Sequence, residues 1–219
     1  MVALPVHAGE ITEAYSIARG GRLYDNWMTT LKIKKVPKEN HPAYPASGHD
    51  KGADTWRCSK CHGWDYQGRE GVVANNLRAW MGRETAEVVA VLRDAVHRYT
   101  PALIPDDAAR DLALFITRGL IEPERLIDTG SGRSRGDAAQ GAPFFQNICA
   151  VCHGLDGRKL NFGSDQEPSY IGTEAHENPF EVLHKIRNGQ PGQDMVNLRV
   201  LPPETAADIL AYEQTLPVH

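Results

Sequence analysis

The sequence has no large excess of charge and no long apolar segment. Its 219 residues include 24 Lys and Arg against 28 Asp and Glu, which gives a formal net charge of −4. This balance provides neither a basic footprint for nucleic acid nor a polybasic patch for a membrane surface. No apolar run approaches the ~20 residues that a helix needs to cross a bilayer. We therefore expect a soluble protein that neither binds nucleic acid nor spans a membrane.

Cysteine is scarce, and the four cysteines present fall in two short motifs. The motifs are Cys58-Ser59-Lys60-Cys61-His62 and Cys149-Ala150-Val151-Cys152-His153. Each has the form C-x-x-C-H, which is the attachment signature of a c-type haem. Two thiols three positions apart reach the two vinyl groups of one porphyrin, and the residue that follows places an imidazole on the iron.

Two other kinds of site also use C-x-x-C, namely a structural zinc site and a thioredoxin-like redox pair. Neither requires a histidine directly after the second cysteine, and neither explains a second copy of the motif. The sequence therefore predicts two haem c groups. The predicted thioether cysteines are Cys58, Cys61, Cys149 and Cys152, and the predicted first axial ligands are His62 and His153.

The chain carries the signs of a tandem duplication, because its two motifs lie 91 residues apart. Each half ends in a helix signal that begins with proline and acidic residues, at Pro105 in the first half and at Pro203 in the second. A Gly- and Ser-rich stretch at 128–136 has the composition of a linker. We therefore predict one domain at 1–127 and another at 128–219. No strand pattern is evident, so the predicted fold class is all-α.

Motif, repeat and helix signals together resemble class I cytochromes c, and the tandem arrangement resembles dihaem members of that superfamily. The resemblance implies two small haem domains, in each of which an N-terminal helix crosses the C-terminal helix through a glycine and an aromatic residue. Gly141 and Phe145 fit this pattern before the second motif, with Tyr212 as the expected partner. The first half departs from it, because a Pro- and Lys-rich insertion at 32–51 precedes Cys58. We expect this insertion to be a partner contact or a lid over a haem edge.

The second haem needs a sixth ligand, for which histidine and methionine are the usual candidates. Met195 is the only methionine after the second motif, and it follows a Gly- and Pro-rich loop before the closing helix. The resemblance implies a ligand methionine at this place. A gap-filling core methionine is the alternative.

The first half has no methionine at the equivalent position. His97 lies eight residues before Pro105, as Met195 lies eight residues before Pro203. This register predicts His97 as the sixth ligand of the first haem, with Met81 or a histidine of the insertion as alternatives. His184 has no ligand-like position, and we expect it to be exposed.

These features predict an electron carrier without catalytic residues, because a six-coordinate iron has no vacant site. The expected partners are redox proteins that act as electron donor and acceptor. One alternative is a haem enzyme with an open iron, of the peroxidase or thiosulfate-dehydrogenase type. A thiosulfate dehydrogenase with an axial cysteine would need a fifth cysteine, which the sequence lacks. Another alternative is an electron-transfer subunit that docks to a larger oxidoreductase.

The expected location is the periplasm, because covalent haem attachment takes place outside the cytoplasmic membrane. Val6-His7-Ala8 before Gly9 resembles the end of a cleaved secretory signal. We therefore expect the chain to be a mature or truncated form.

Overall fold

The computed structural model describes residues 8–69, 71–73 and 75–218, with side chains from residue 13 onward. The residues of the predicted signal remnant before Ala8 lie outside this range. Within it the chain is all-α, as predicted, and β-structure is limited to a single bridge between Ile127 and Ser134. No helix in the described part is long and apolar enough to cross a membrane.

Nine α-helices occur in the described ranges. They are α1 (Ala8–Thr30), α2 (Cys58–His62), α3 (Thr85–Leu92), α4 (Asp106–Leu114), α5 (Ala138–Phe144), α6 (Ala150–His153), α7 (Ile171–Glu177), α8 (Pro179–Asn188) and α9 (Pro203–Glu213). A π-helical turn, Phe115–Gly119, extends α4, and a second, Phe145–Cys149, joins α5 to α6.

The chain divides into two compact units. The first contains the residues up to 120 together with 188–199, and the second contains 121–187 together with the residues from 200. The boundary predicted from the sequence, between 127 and 128, remains a prediction.

In the first unit, α1 crosses α4 at a glycine. A side chain at Gly20 would place its Cβ 2.1 Å from the carbonyl oxygen of Asp111, so only glycine lets the two backbones approach this closely. One turn further along α1, the ring centroid of Tyr24 lies 5.5 Å from that of Phe115. Both side chains are fully buried, so this aromatic pair forms the centre of the core of the first unit.

In the second unit, α5 crosses α9 in the same way, as the sequence predicts. A Cβ at Gly141 would lie 2.0 Å from the carbonyl oxygen of Asp208. The ring centroids of Phe145 and Tyr212 are 5.3 Å apart, which confirms the predicted contact. The two units share this arrangement. In each, one helix carries a glycine and, four positions later, an aromatic residue, and the other carries an aspartate and, four positions later, an aromatic residue. The glycine faces the aspartate, and the two aromatic residues face each other.

His184 in α8 is buried, with 1% of its surface exposed, so the prediction that it is exposed is wrong. Counted from Glu87 in α3 and Glu181 in α8, His184 matches Ala90, which is exposed. Unlike α3, α8 buries consecutive residues from Val182 to His184, and a helix buried on consecutive positions is covered on more than one face.

We predict that Gly141→Ala destabilises the protein, although alanine is the better helix former by about 1 kcal/mol. The added methyl group would overlap the carbonyl oxygen of Asp208, and overpacking of this kind costs about 1–3 kcal/mol. Chemical denaturation followed by circular dichroism measures the change. Gly130→Ala is the control, because a Cβ there is 3.5 Å from its nearest neighbour, the Asp128 carboxylate. Equal stability of the two variants would contradict this account of the crossing.

Candidate functional site

The first motif forms a single helical turn, α2, at the wall of an apolar cleft. Cys58, Cys61 and His62 all line this cleft. The turn ends at Gly63, whose φ of 71° lies in the region that favours glycine. The rest of the wall is mostly aliphatic and aromatic. It includes Val73, Leu77, Val88, Leu92, Leu112 and Ile116.

His97 lines the same cleft and faces His62. The two ring centroids are 6.4 Å apart, and the ring planes are inclined by 19°. A metal–imidazole bond of about 2 Å on each side, plus about 1 Å from each ring nitrogen to its centroid, gives a separation of about 6 Å. The centroid separation therefore matches that of two imidazoles bound to one iron atom.

The protonation state of His62 also favours metal binding. Burial, with a smaller contribution from His97, lowers the pKa of His62 to about 4, so its imidazole is neutral near pH 7. A metal ligand must be in this neutral form. Its Nδ1 atom is buried without a hydrogen-bond partner.

The loop after α3 orients His97 through Asp94. One oxygen of this carboxylate accepts hydrogen bonds from the backbone N–H groups of Val96 at 2.8 Å and of His97 at 2.7 Å. The same oxygen lies 3.3 Å from Nδ1 of His97. These bonds, led by the one from the His97 backbone, lower the pKa of Asp94. Because the ionised carboxylate accepts the proton on Nδ1, Nε2 is left as the nitrogen that can bind a metal.

The other ligand candidates for the first haem are less suitably placed. Met81 is 42% exposed and does not line the cleft, and His49 is exposed. His41 does line the cleft, but both of its ring nitrogens already have hydrogen-bond partners. His97 therefore remains the best candidate, and its ligation of iron remains a prediction.

Asp25, the residue before a kink in α1, holds the first motif in place. Asn26 is non-helical, with φ −152° and ψ 92°, within α1. The carbonyl of Asp25 accepts hydrogen bonds from Arg57 Nε at 2.9 Å and from Ser59 Oγ at 3.2 Å. The Arg57 guanidinium also pairs with the buried Asp25 carboxylate at 2.8 Å. Asp25 and Arg57 cannot be recognised as partners from the sequence, because no local pattern links a helix residue to one 32 positions later.

The second motif begins at the last residue of the π-helical turn after α5 and continues through α6, which ends at Gly154, whose φ is 81°. Nδ1 of His153 is buried without a hydrogen-bond partner, and burial lowers the pKa of this histidine. Large apolar side chains near the motif are exposed. They are Ile148, Val151, Leu155, Leu160 and Phe162. Exposed apolar surface of this kind fits a site that an apolar macrocycle covers.

The predicted second-haem ligand Met195 is half-buried in the segment 188–199, which groups with the first unit. His153 belongs to the second unit. Ligation of the second haem by Met195 therefore remains a prediction.

The thiols do not have the character of a reactive redox pair. Burial is the main cause that raises the pKa of Cys58 and of Cys149 to about 12, and of Cys61 to about 11. A thioredoxin-like pair needs a lowered thiol pKa. The four cysteines form no disulfide. In the described part of the chain, no three His, Cys, Asp or Glu side chains converge in the way a zinc site requires.

A buried carboxyl group lies beside the second motif. Glu213 at the end of α9 is 3% exposed, and its Oε2 atom has no hydrogen-bond partner. Burial raises the pKa of Glu213 to about 8, so this carboxyl is protonated at neutral pH. After burial itself, Glu213 is the next largest cause of the raised pKa of Cys149.

Comparison with known proteins finds one family model that matches part of the chain. Residues 136–212 match the model of the family described as cytochrome c oxidase, cbb3-type, subunit III. This range contains the second motif, so the match supports a covalent haem c in that part of the chain. No curated protein matches the sequence.

Two solved structures show a low similarity to the chain. One is the reducing HAO-like protein complex of Kuenenia stuttgartiensis, with 14% identity, a TM-score of 0.30, and coverage of 83% of this chain and 98% of that chain. Another is the as-isolated form of thiosulfate dehydrogenase (TsdBA) from Marichromatium purpuratum, with 20% identity and a TM-score of 0.26. It covers 96% of this chain and 47% of that chain. At these TM-scores neither likeness establishes a shared fold.

We predict that the free energy of unfolding of Glu213→Gln changes less with pH than that of the wild type. The folded pKa of about 8 lies above the ordinary value of 4.5, so the folded state holds more protons between these pH values. The free energy of unfolding of the wild type should therefore fall as pH rises through this window, by at most about 1.4 kcal/mol per pH unit. Denaturation at several pH values measures the slope.

The control for this prediction is Glu204→Gln, which changes an exposed glutamate on the same helix and should keep the wild-type slope. Identical slopes in the wild type and Glu213→Gln would show that the Glu213 carboxyl does not titrate in this window.

Proposed function

We propose that the chain is an electron-transfer protein that carries two covalent c-type haems. The observation that supports this most directly is the pair His62 and His97, which face each other across the cleft lined by Cys58 and Cys61. In this proposal the two thiols would hold the first haem covalently, and the two imidazoles would both bind its iron. A haem bound there supplies a one-electron iron couple.

The surroundings of His97 favour a carrier over an enzyme. Asp94 holds both the backbone and the ring of His97, so the ligand is constrained to stay at the cleft. With both axial positions occupied, the first iron has no site for a substrate. The walls of the cleft are largely apolar, and exclusion of solvent is one of the factors that set a haem potential.

The second haem in this proposal is held by Cys149 and Cys152, with His153 and Met195 as axial ligands. Support comes from the family match over residues 136–212. Further support comes from the two helix crossings. Gly20 lies in the crossing helix that precedes the first motif, and Gly141 lies in the crossing helix that precedes the second. Two helix pairs of the same construction are what a tandem duplication predicts.

The proposed partners are redox proteins that donate and accept single electrons, and the proposed location is the periplasm. Covalent attachment of haem outside the cytoplasmic membrane is the basis of this location. A second candidate is an electron-transfer subunit of a larger oxidoreductase. This candidate is favoured by the match of residues 136–212 to a family described as an oxidase subunit.

We predict two covalent haems on each chain, because each motif supplies two thiols and an adjacent imidazole. Mass spectrometry of the denatured protein, produced with the haem attachment machinery, measures the number. The double variant Cys58→Ala/Cys61→Ala should retain one haem, and Cys149→Ala/Cys152→Ala should retain the other. A wild-type chain with a single haem would contradict the dihaem proposal, and a chain with none would contradict haem binding altogether.

A further inference from the structure

His41 is the one residue of the insertion at 32–51 that is buried and also lines the cleft. Only 5% of its surface is exposed, although the insertion around it carries many charged residues. A buried histidine in a polar insertion needs partners for both of its ring nitrogens. These partners define what His41 does.

The hydrogen bonds of the ring fix its tautomer. Nδ1 lies 3.1 Å from the backbone N–H of Ala43, which can only donate, so Nδ1 carries no proton. The proton is therefore on Nε2, which donates to the carbonyl oxygen of His97 at 2.8 Å. Burial lowers the pKa of His41, which favours this neutral form. The insertion thus donates a directed hydrogen bond to the backbone of the proposed ligand.

The other side of His41 is tied to the segment that leads into the first motif. Its backbone N–H donates to Thr55 Oγ1 at 2.8 Å, and this hydroxyl donates to the carbonyl of Gly52 at 2.6 Å. The ring centroid of His41 lies 4.5 Å from that of Trp56. Trp56 is two residues before Cys58, so His41 connects the start of the motif with the ligand loop.

Tyr99 completes this connection. Its hydroxyl donates to the carbonyl of Trp56 at 2.8 Å, and its ring centroid lies 5.6 Å from that of His41. Between His97 and Tyr99, Arg98 has a φ of 56°, which is unusual for a residue other than glycine. Such a conformation persists only where the surrounding structure holds it. Here the hydrogen bond from His41 to the carbonyl of His97 and the hydrogen bond from the Tyr99 hydroxyl to the carbonyl of Trp56 hold the residues on either side of Arg98.

We propose that His41 is a positioning residue for the sixth ligand, which holds the His97 loop at the distance from His62 that iron requires. This inference rests on the proposed function, in which His97 binds the first iron. It gives the insertion at 32–51 a role as one side of a ligand clamp. Asp94 holds His97 from within its own loop, and His41 holds it from the side of the motif.

The test compares two amide substitutions of His41. In His41→Gln the side-chain amide extends far enough to donate to the His97 carbonyl, whereas in His41→Asn it is too short to do so. Loss of one hydrogen bond to a buried carbonyl increases the population of the detached ligand about tenfold. We therefore expect His41→Asn to bind carbon monoxide at the reduced first haem with an apparent affinity about tenfold above that of the wild type. His41→Gln should remain close to the wild type.

Two further variants keep this test separate from the proposed function. His97→Ala should expose the first iron fully and sets the maximum carbon monoxide affinity and spectral amplitude. His176→Asn is the matched control, because its Nε2 also lies 2.9 Å from a backbone carbonyl, that of Gln214 in the second unit. It should leave binding at the first haem unchanged.

The possible results distinguish a failure of iron ligation by His97 from a failure of the positioning role of His41. A His97→Ala variant that binds no more carbon monoxide than the wild type would overturn the ligation of iron by His97, and the clamp with it. If His97→Ala opens the iron but His41→Asn behaves as the wild type does, the positioning role of His41 is overturned alone. Equal opening in His41→Asn and His41→Gln would overturn the role of the hydrogen bond. Circular dichroism of the untreated variants verifies that each one is folded.

Discussion

In the proposed function, the separation between the imidazoles of His62 and His97 is the constraint on which the first haem site depends. At 6.4 Å between ring centroids, it leaves room for one iron and two metal–nitrogen bonds. A shorter separation would exclude the metal, and a longer one would open a coordination site and permit enzymatic chemistry. The difference between a carrier and a haem enzyme therefore depends on how firmly the two histidines are held apart.

Each histidine is held by a different set of contacts. The helical turn that carries His62 is fixed by the buried ion pair of Arg57 with Asp25, whose carbonyl lies at the kink in α1. The loop that carries His97 is fixed by Asp94 on one side and, in our proposal, by His41 on the other. Buried charged pairs of this kind add little net stability, but they fix one arrangement against others.

Much of this arrangement can be predicted from the sequence, where it depends on residues close together in the chain. The C-x-x-C-H spacing, the helix starts and the pair of Gly141 and Phe145 are local patterns, and the helix crossing at Gly141 is as expected. Alignment of the two halves on Pro105 and Pro203 matches His97 with Met195 and so predicts His97 as a ligand, and in the structure its ring centroid lies 6.4 Å from that of His62. Its ligation of iron remains a prediction.

Other features could not be predicted, because they depend on the approach of distant segments. The bond from His41 to His97 joins residues 56 positions apart, and nothing in the insertion distinguishes His41 from the exposed His49 before folding. The match of His184 with the exposed Ala90 does not extend to burial, because the surroundings of α8 differ from those of α3.

The most direct test of the account is electron paramagnetic resonance of the fully oxidised protein. Two nearly parallel imidazoles on one low-spin ferric iron give a rhombic signal, and the inclination of 19° between the rings predicts that signal for the first haem. It should account for one haem per chain and disappear in Cys58→Ala/Cys61→Ala. A high-spin signal from the first haem in the wild type would contradict the claim that His62 and His97 share one iron.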